Sequence, residues 1–415
     1  MQSKSTLHIH ILCGDSTYNR GDRANLASQI NLLQTHFPGS RITTSSYRPE
    51  VDQDWYPAEF VRRKLPLSRD EIKCLRQADV IVWGGGALLI DNASRVKILY
   101  WNFVIGFVKI ILRKPVMAWA HGVIFNTKLG LAAGRNVLNW VDLITVRDQN
   151  SLDAIERARV TKTPYHLTAD PAVLFTPDDP ATGAKILQSE GIDYLERSIF
   201  AIACTFTALH NKPNRLIPYM IAKPLGLVKE DHETLNKAKS ALNDLATQLI
   251  EKYNCQVVFF PTYPAPWEND NKYFEDIVEM SEYGEQVTYL KYDNYSPNEY
   301  FAIWHHIKAI ISIPMHHAII STTMGVPCLN LFYEPKGRDF FRAIHAEERM
   351  MSVERLYEEG AEVVVKQVDS MLENWDMLST QSIPYFQEVQ DQAMGNITYL
   401  KQLLKERGLL VPHED

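Results

Sequence analysis

Short runs of consecutive apolar residues alternate along this chain with longer stretches in which apolar positions recur every three or four residues. The first pattern marks strands buried on both faces and the second marks amphipathic helices, so their alternation predicts parallel βαβ layering. In the first half the predicted strands are 7–13, 42–47, 80–83, 115–120 and 143–146, with helices such as 23–36 and 148–158 between them. A polar stretch rich in Pro and Asp, 176–183, breaks the rhythm. It resumes with strands at 198–205, 256–260, 286–290, 309–312 and 328–332, and 383–407 reads as one or two helices with no strand after them. At 415 residues the chain exceeds what one core usually holds. The expected organisation is α/β: two Rossmann-like domains facing a cleft, over 1–185 and 186–380, and a helical tail over 381–415 packing back on the first domain.

One apolar segment, 98–112, is aromatic and about one buried helix long, with Asn102 and Lys109 interrupting it. It is shorter than the roughly 20 residues a spanning helix needs. Two readings stay open: an interior or subunit-interface helix, in which case a homo-oligomer is expected, or a peripheral membrane face with Tyr100 and Trp101 as anchors.

Composition narrows the class. A net charge of −7 argues against general nucleic-acid binding, which needs a dense basic face. The five cysteines are odd in number, scattered and mostly inside apolar runs, as free buried thiols are. The opening residues enter a strand almost at once and lack the apolar stretch of a secretory signal, so a cytoplasmic location, at the inner membrane face if 98–112 binds lipid, is expected. The 13 histidines show no metal-ligand spacing. No metal site is expected.

Four loops fall where strands end and a cleft would be lined. The first joins strand to helix through Gly14, Asn19, Gly21 and Asp22; glycines allow close approach and the helix N-terminus offers N–H donors to an anion, while Asp22 is also a candidate cap. The second is the run Gly84, Gly85 and Gly86. The third holds His121 and Gly122 and, further on, Arg147 and Ser151; Arg147 suits a phosphate or carboxylate, or an ion pair with Asp148 or Asp170. The fourth runs from Ile313 through Met315, His316 and His317 to Pro327, then Tyr333 and Lys336. It reads as a strand delivering a His pair for acid–base work and a second strand ending near a cation. A Pro-rich loop with Tyr263 and Trp267 offers aromatic faces to a sugar.

In their order these residues resemble the polysaccharide pyruvyl transferase family: Gly14, Asn19, Gly21 and Asp22; Gly84 to Gly86; Arg147 and Ser151; Ala169, Asp170 and Pro171; His317; Gly325 to Pro327; Tyr333 and Lys336. The resemblance implies a two-domain GT-B architecture. It implies transfer of a pyruvyl group from phosphoenolpyruvate, the donor substrate, to sugar hydroxyls of a surface polysaccharide or its lipid-linked precursor, as a ketal and without a cofactor. His317, His316 and Asp22 are then the expected catalytic groups; Arg147, Lys336, Asn19, Gly21, Gly85, Gly86 and Ser151 hold the donor; Tyr263, Trp267 and His121 meet the acceptor. The chain departs from the family where Met315, His316 and His317 replace the usual Arg-Leu-His, and where His121 replaces a more usual Gln. Protonated His316 replaces the lost charge, or the donor differs, or activity is absent. A GT-B glycosyltransferase using a nucleotide sugar and a noncatalytic glycan-binding member are the alternatives.

Overall fold

The computed structural model describes residues 6–410 apart from 15, 92–93, 207–221, 224, 228–230, 267, 293 and 334. Two parallel sheets dominate it. The first has seven strands in the order Glu59–Arg62, Arg41–Ser46, His8–Leu12, Val80–Gly84, Val116–His121, Leu143–Val146 and Tyr165–Leu167. The second has six, in the order Val287–Tyr289, Gln256–Pro261, Ile199–Cys204, Ile307–Ser312, Cys328–Phe332 and Met350–Ser352. Their central strands read as unbroken apolar runs because helices cover both faces, as in Ile199–Cys204, where every residue is buried.

The predicted central strands are all present, each within a few residues of its expected ends. In these two sheets three short strands were not predicted: Glu59–Arg62, Tyr165–Leu167 and Met350–Ser352, of three or four residues at sheet edges. Half-exposed edges carry too little apolar signal to announce themselves. The last helix, Trp375–Glu406, starts earlier than expected and continues through Pro384. Its Leu378 packs in the core under the second sheet, while Leu400, Leu403 and Leu404 pack with Ile9, Val82 and Trp119 of the first. Inside it, buried Asn396 accepts hydrogen bonds from the Thr145 hydroxyl at 2.6 Å and the Thr168 hydroxyl at 3.0 Å, and donates to the Ala169 carbonyl at 3.2 Å.

The apolar segment forms the helix Arg95–Gly106 running into a π-helical stretch, Phe107–Ile111. Trp101 is no surface anchor: it is buried, its ring 5.5 Å from that of Trp83, and Tyr100 is half-buried. Leu99, Phe103, Ile110 and Ile111 are the side chains left exposed. Among the described residues no helix is long and apolar enough to cross a membrane. All five cysteines are free and buried.

Candidate functional site

Each sheet reverses its winding direction beside its first strand, His8–Leu12 in one and Ile199–Cys204 in the other. Loops at the carboxyl ends of strands near such reversals form ligand crevices in open α/β sheets. Here the two crevices face each other. The first helix, Arg20–His36, begins between them, and the helix Met315–Thr323 of the second domain comes down onto it.

Asn19, not Asp22, caps the first helix: its side chain accepts the Asp22 N–H at 3.0 Å. The Asp22 carboxylate is thereby turned toward the glycine loops, where a Cβ on Gly14 would lie 3.2 Å and one on Gly86 3.7 Å from its oxygens. Gly21 has no room for a side chain, since a Cβ there would sit 2.4 Å from His316 Nδ1. Gly85 is needed twice over, by its φ of +82° and by Gln29 Nε2, which a Cβ would meet at 1.5 Å.

Below these loops runs a buried polar chain. Gln29 donates to Asn25 Oδ1 at 2.8 Å, and Asn25 donates to Asp170 Oδ1 at 2.6 Å. Arg147 donates to Asp170 Oδ2 at 2.5 Å and stands 3.7 Å from Asp148. His316 Nε2 approaches the same Asp170 oxygen at 3.4 Å, an electrostatic contact rather than a well-aligned hydrogen bond. Burial alone would raise the Asp170 pKa, but Arg147, His316 and the Ala172 N–H hold it well below the usual carboxylate range. For Arg147 burial lowers the pKa, and Asp170 and Asp148 outweigh it, so the guanidinium stays charged.

The two adjacent histidines divide. His316 faces the first domain beside Gly21 and Asp170. His317, expected at the cleft, is fully buried in a box of Tyr300, Phe301 and Trp304, its Nε2 3.1 Å from the Tyr300 hydroxyl. Burial, with His316 and Arg20 nearby, pushes its pKa well below the usual value, so the ring is neutral. Consecutive helical residues point about 100° apart, which sends one ring to the domain boundary and one to the core.

Arg147 and Lys336 come from different domains and line one cleft of about 300 Å³ together with Ala87, Gly122 and Asp339. An adjoining cleft of about 500 Å³ adds Asp170, Met315 and Arg342 to the same two cations. Asn150 donates to Asp339 across the domain boundary at its edge. Met315 thus lines the wall as an apolar group.

Ser151 lines the smaller cleft, but it is buried and its hydroxyl oxygen accepts the Val123 N–H at 2.9 Å, while Asp148 caps its helix. His121 lies beneath the glycine run, fully buried, its ring 4.3 Å from that of Trp83. Burial, then the Arg147 charge, pushes its pKa down to about 3. It meets the wall from behind. Tyr263 is half-buried on the second-domain loop, and Trp267 lies outside the described residues. That loop is organised by Asp270, whose carboxylate accepts the N–H groups of Phe206, Thr262 and Tyr263.

Two arginines went unremarked in the sequence. Arg20 is buried with its Cζ 4.2 Å from the Tyr300 ring centre, and its backbone N–H donates to the Thr262 carbonyl at 3.0 Å. Arg23, also buried, donates to the Thr17 carbonyl at 2.9 Å and lies 4.6 Å from the Trp55 ring centre. They sit where the first helix enters the second domain. The one available signal was a helix start with two cations where acidic residues are favoured.

A search of curated proteins finds no match. Among solved structures the chain is similar to a UDP-N-acetylglucosamine 2-epimerase from Rickettsia bellii, at 14% identity with 97% of this chain and 96% of that one covered and a TM-score of 0.56. It is similar to Anabaena Alr3699/HepE, in complex with UDP and glucose, at 10% identity with 98% and 100% covered and a TM-score of 0.53. It is similar to the ADP-heptose lps heptosyltransferase II of E. coli at 13% identity, with 89% and 100% covered and a TM-score of 0.50. These likenesses establish the GT-B-type fold. The sequence model described as "Polysaccharide pyruvyl transferase" matches residues 19–335, which span Asn19 to Asp22, the glycine run 84–86, Arg147, Asp170 and the His helix, and the chain belongs to that family.

Proposed function

We propose that the protein transfers a pyruvyl group from phosphoenolpyruvate to two hydroxyls of a sugar in a surface glycan or its precursor, releasing phosphate and leaving a cyclic ketal. The observation that carries this reading is the meeting of Arg147 and Lys336, from opposite domains, around one small cleft, with His316 3.4 Å from Asp170, which lines the adjoining cleft. Phosphoenolpyruvate presents a phosphate and a carboxylate, and two cations separated by a domain boundary suit two anionic ends of one small donor.

The reaction needs a proton delivered to the methylene carbon, attack of a hydroxyl on the adjacent carbon with loss of its proton, departure of phosphate, and attack of a second hydroxyl with loss of its proton; one hydroxyl proton replaces the one given to the carbon and the other leaves with the phosphate. In this proposal His316 delivers the proton. Asp170, kept ionised by Arg147, steadies the imidazolium. Asp22, whose carboxylate faces the glycine loops from the first helix, accepts a hydroxyl proton. His317 acts as a positioning residue through Tyr300, because it is neutral and buried.

The test is thermal stability with phosphoenolpyruvate, phosphate, pyruvate and UDP, for wild type and Lys336→Ala. A ligand at 100 times its Kd adds about 2.7 kcal/mol. Stabilisation by phosphoenolpyruvate that the substitution removes supports the proposal. Stabilisation by UDP alone replaces it with a nucleotide-sugar enzyme.

A further inference from the structure

Residues 92–141 contain no Asp or Glu and seven Lys or Arg, in a chain whose net charge is −7. Among the described residues the same stretch carries the largest run of exposed apolar side chains on one helix: Leu99 is 44% exposed, Phe103 55%, Ile110 59% and Ile111 66%. Leu99 and Phe103 are one turn apart, with Ile110 and Ile111 two turns further on, so the apolar row is roughly 18 Å long. Leu129, 45% exposed on the neighbouring helix Lys128–Leu138, shares a groove with Leu99, and Arg135 and Lys162 rim it. Asn102 fastens the two helices by donating to the Ala133 carbonyl at 2.9 Å.

We propose that this face docks on an anionic lipid bilayer, with the apolar row at the headgroup boundary and the exposed cations Arg113, Lys128 and Arg135 against lipid phosphates. Charge decides the occupant. A second copy of this chain would oppose the face with itself, cation against cation, whereas an anionic surface matches it. Lys109 is not counted, because it is paired with Asp142 at 2.6 Å. The docked helix adjoins the candidate site, since Lys97 Nζ donates to the carbonyl of Ala87, a cleft residue, at 3.1 Å. A glycan carried on a membrane lipid is then within reach of the cleft.

The test is co-flotation of the full chain with vesicles of phosphatidylcholine alone and of phosphatidylcholine with phosphatidylglycerol. Wild type should float with the anionic vesicles only, and less as salt rises. Phe103→Ser with Ile110→Ser, and separately Arg113→Glu with Lys128→Glu, should each lower the bound fraction at least about tenfold. All four side chains are exposed, and unchanged melting temperatures certify the fold. No flotation, equal flotation with both vesicle types, or full binding by the charge-reversed variant overturns the proposal. So does a wild-type dimer in sedimentation that the Phe103 and Ile110 substitutions dissolve.

Discussion

Gly21 and His316 are in contact across the domain boundary: a Cβ on the glycine would lie 2.4 Å from the imidazole Nδ1. Gly21→Ala therefore forces the ring away from Asp170. The expected result is at least about a hundredfold loss of phosphate release from phosphoenolpyruvate in the presence of acceptor, because misplacing a reacting group by 1 Å costs that much. The melting transition should weaken by only about 1–3 kcal/mol. Retained activity would separate His316 from the chemistry.

Asp170 gathers Arg147, Asn25, the Ala172 N–H and His316. Asp170→Asn leaves the buried Arg147 charge with Asp148 at 3.7 Å and the weaker influence of Asp22, and should cost about 3–5 kcal/mol in denaturant unfolding. The folded pKa of Asp170 lies below its ordinary 3.8, so its stabilisation is complete above that pH and drains as pH falls below it. Unfolding followed down to acid pH should show this limb in wild type and not in the variant.

His10 and His121 are fully buried, and burial, the first cause for each, pushes both pKa values down to about 3. The unfolded chain takes up protons near 6.5 while the folded chain does not, so stability is full above pH 6.5 and is lost as pH falls toward 3. Each ring should contribute about 1.4 kcal/mol per pH unit. His121→Gln should reduce the slope of unfolding free energy against pH by one such increment, and an unchanged slope would mean the ring is protonated in the fold.

Tyr300→Phe removes the hydroxyl that His317 Nε2 meets at 3.1 Å. We expect a loss of about 1–3 kcal/mol in stability with the phosphoenolpyruvate response intact, whereas His316→Ala should keep stability and lose turnover. Paired titrations on the two variants decide it. Loss of turnover in Tyr300→Phe, rescued at no temperature, would return the proton transfer to His317.

The layering of strands and helices was legible because doubly covered strands must be apolar throughout and their helices amphipathic. The glycine loops and Arg147 were legible because only strand ends face a crevice. Which of two adjacent histidines meets the cleft was not, since that depends on where the helix begins: it starts at Met315, so the pair sits on a helix rather than at the end of the strand. Nor did the sequence distinguish Asn19 from Asp22 as the cap, both being good acceptors. Arg20 and Arg23 carried no signal because part of their surroundings comes from the other domain, the Tyr292 and Tyr295 carbonyls some 270 positions away in sequence. Pro384 favoured a helix start near 383, as proline does at a first turn, but the N-terminal turns of that helix are held by the second domain's own core through Leu378.

The last helix leaves the second domain near Ser382, which accepts from Arg349 at 3.2 Å, and finishes in the core of the first. The chain has already crossed once, between the turn Pro171–Leu174 and the helix Pro180–Ser189. The domains are therefore tied together twice by the chain, and a shared core packs Ala24, Ala169 and Val173 of the first against Ile319 and Phe340 of the second. Twisting and sliding of one domain on the other are resisted by both, so the packing that joins the domains also sets the spacing of Arg147 from Lys336.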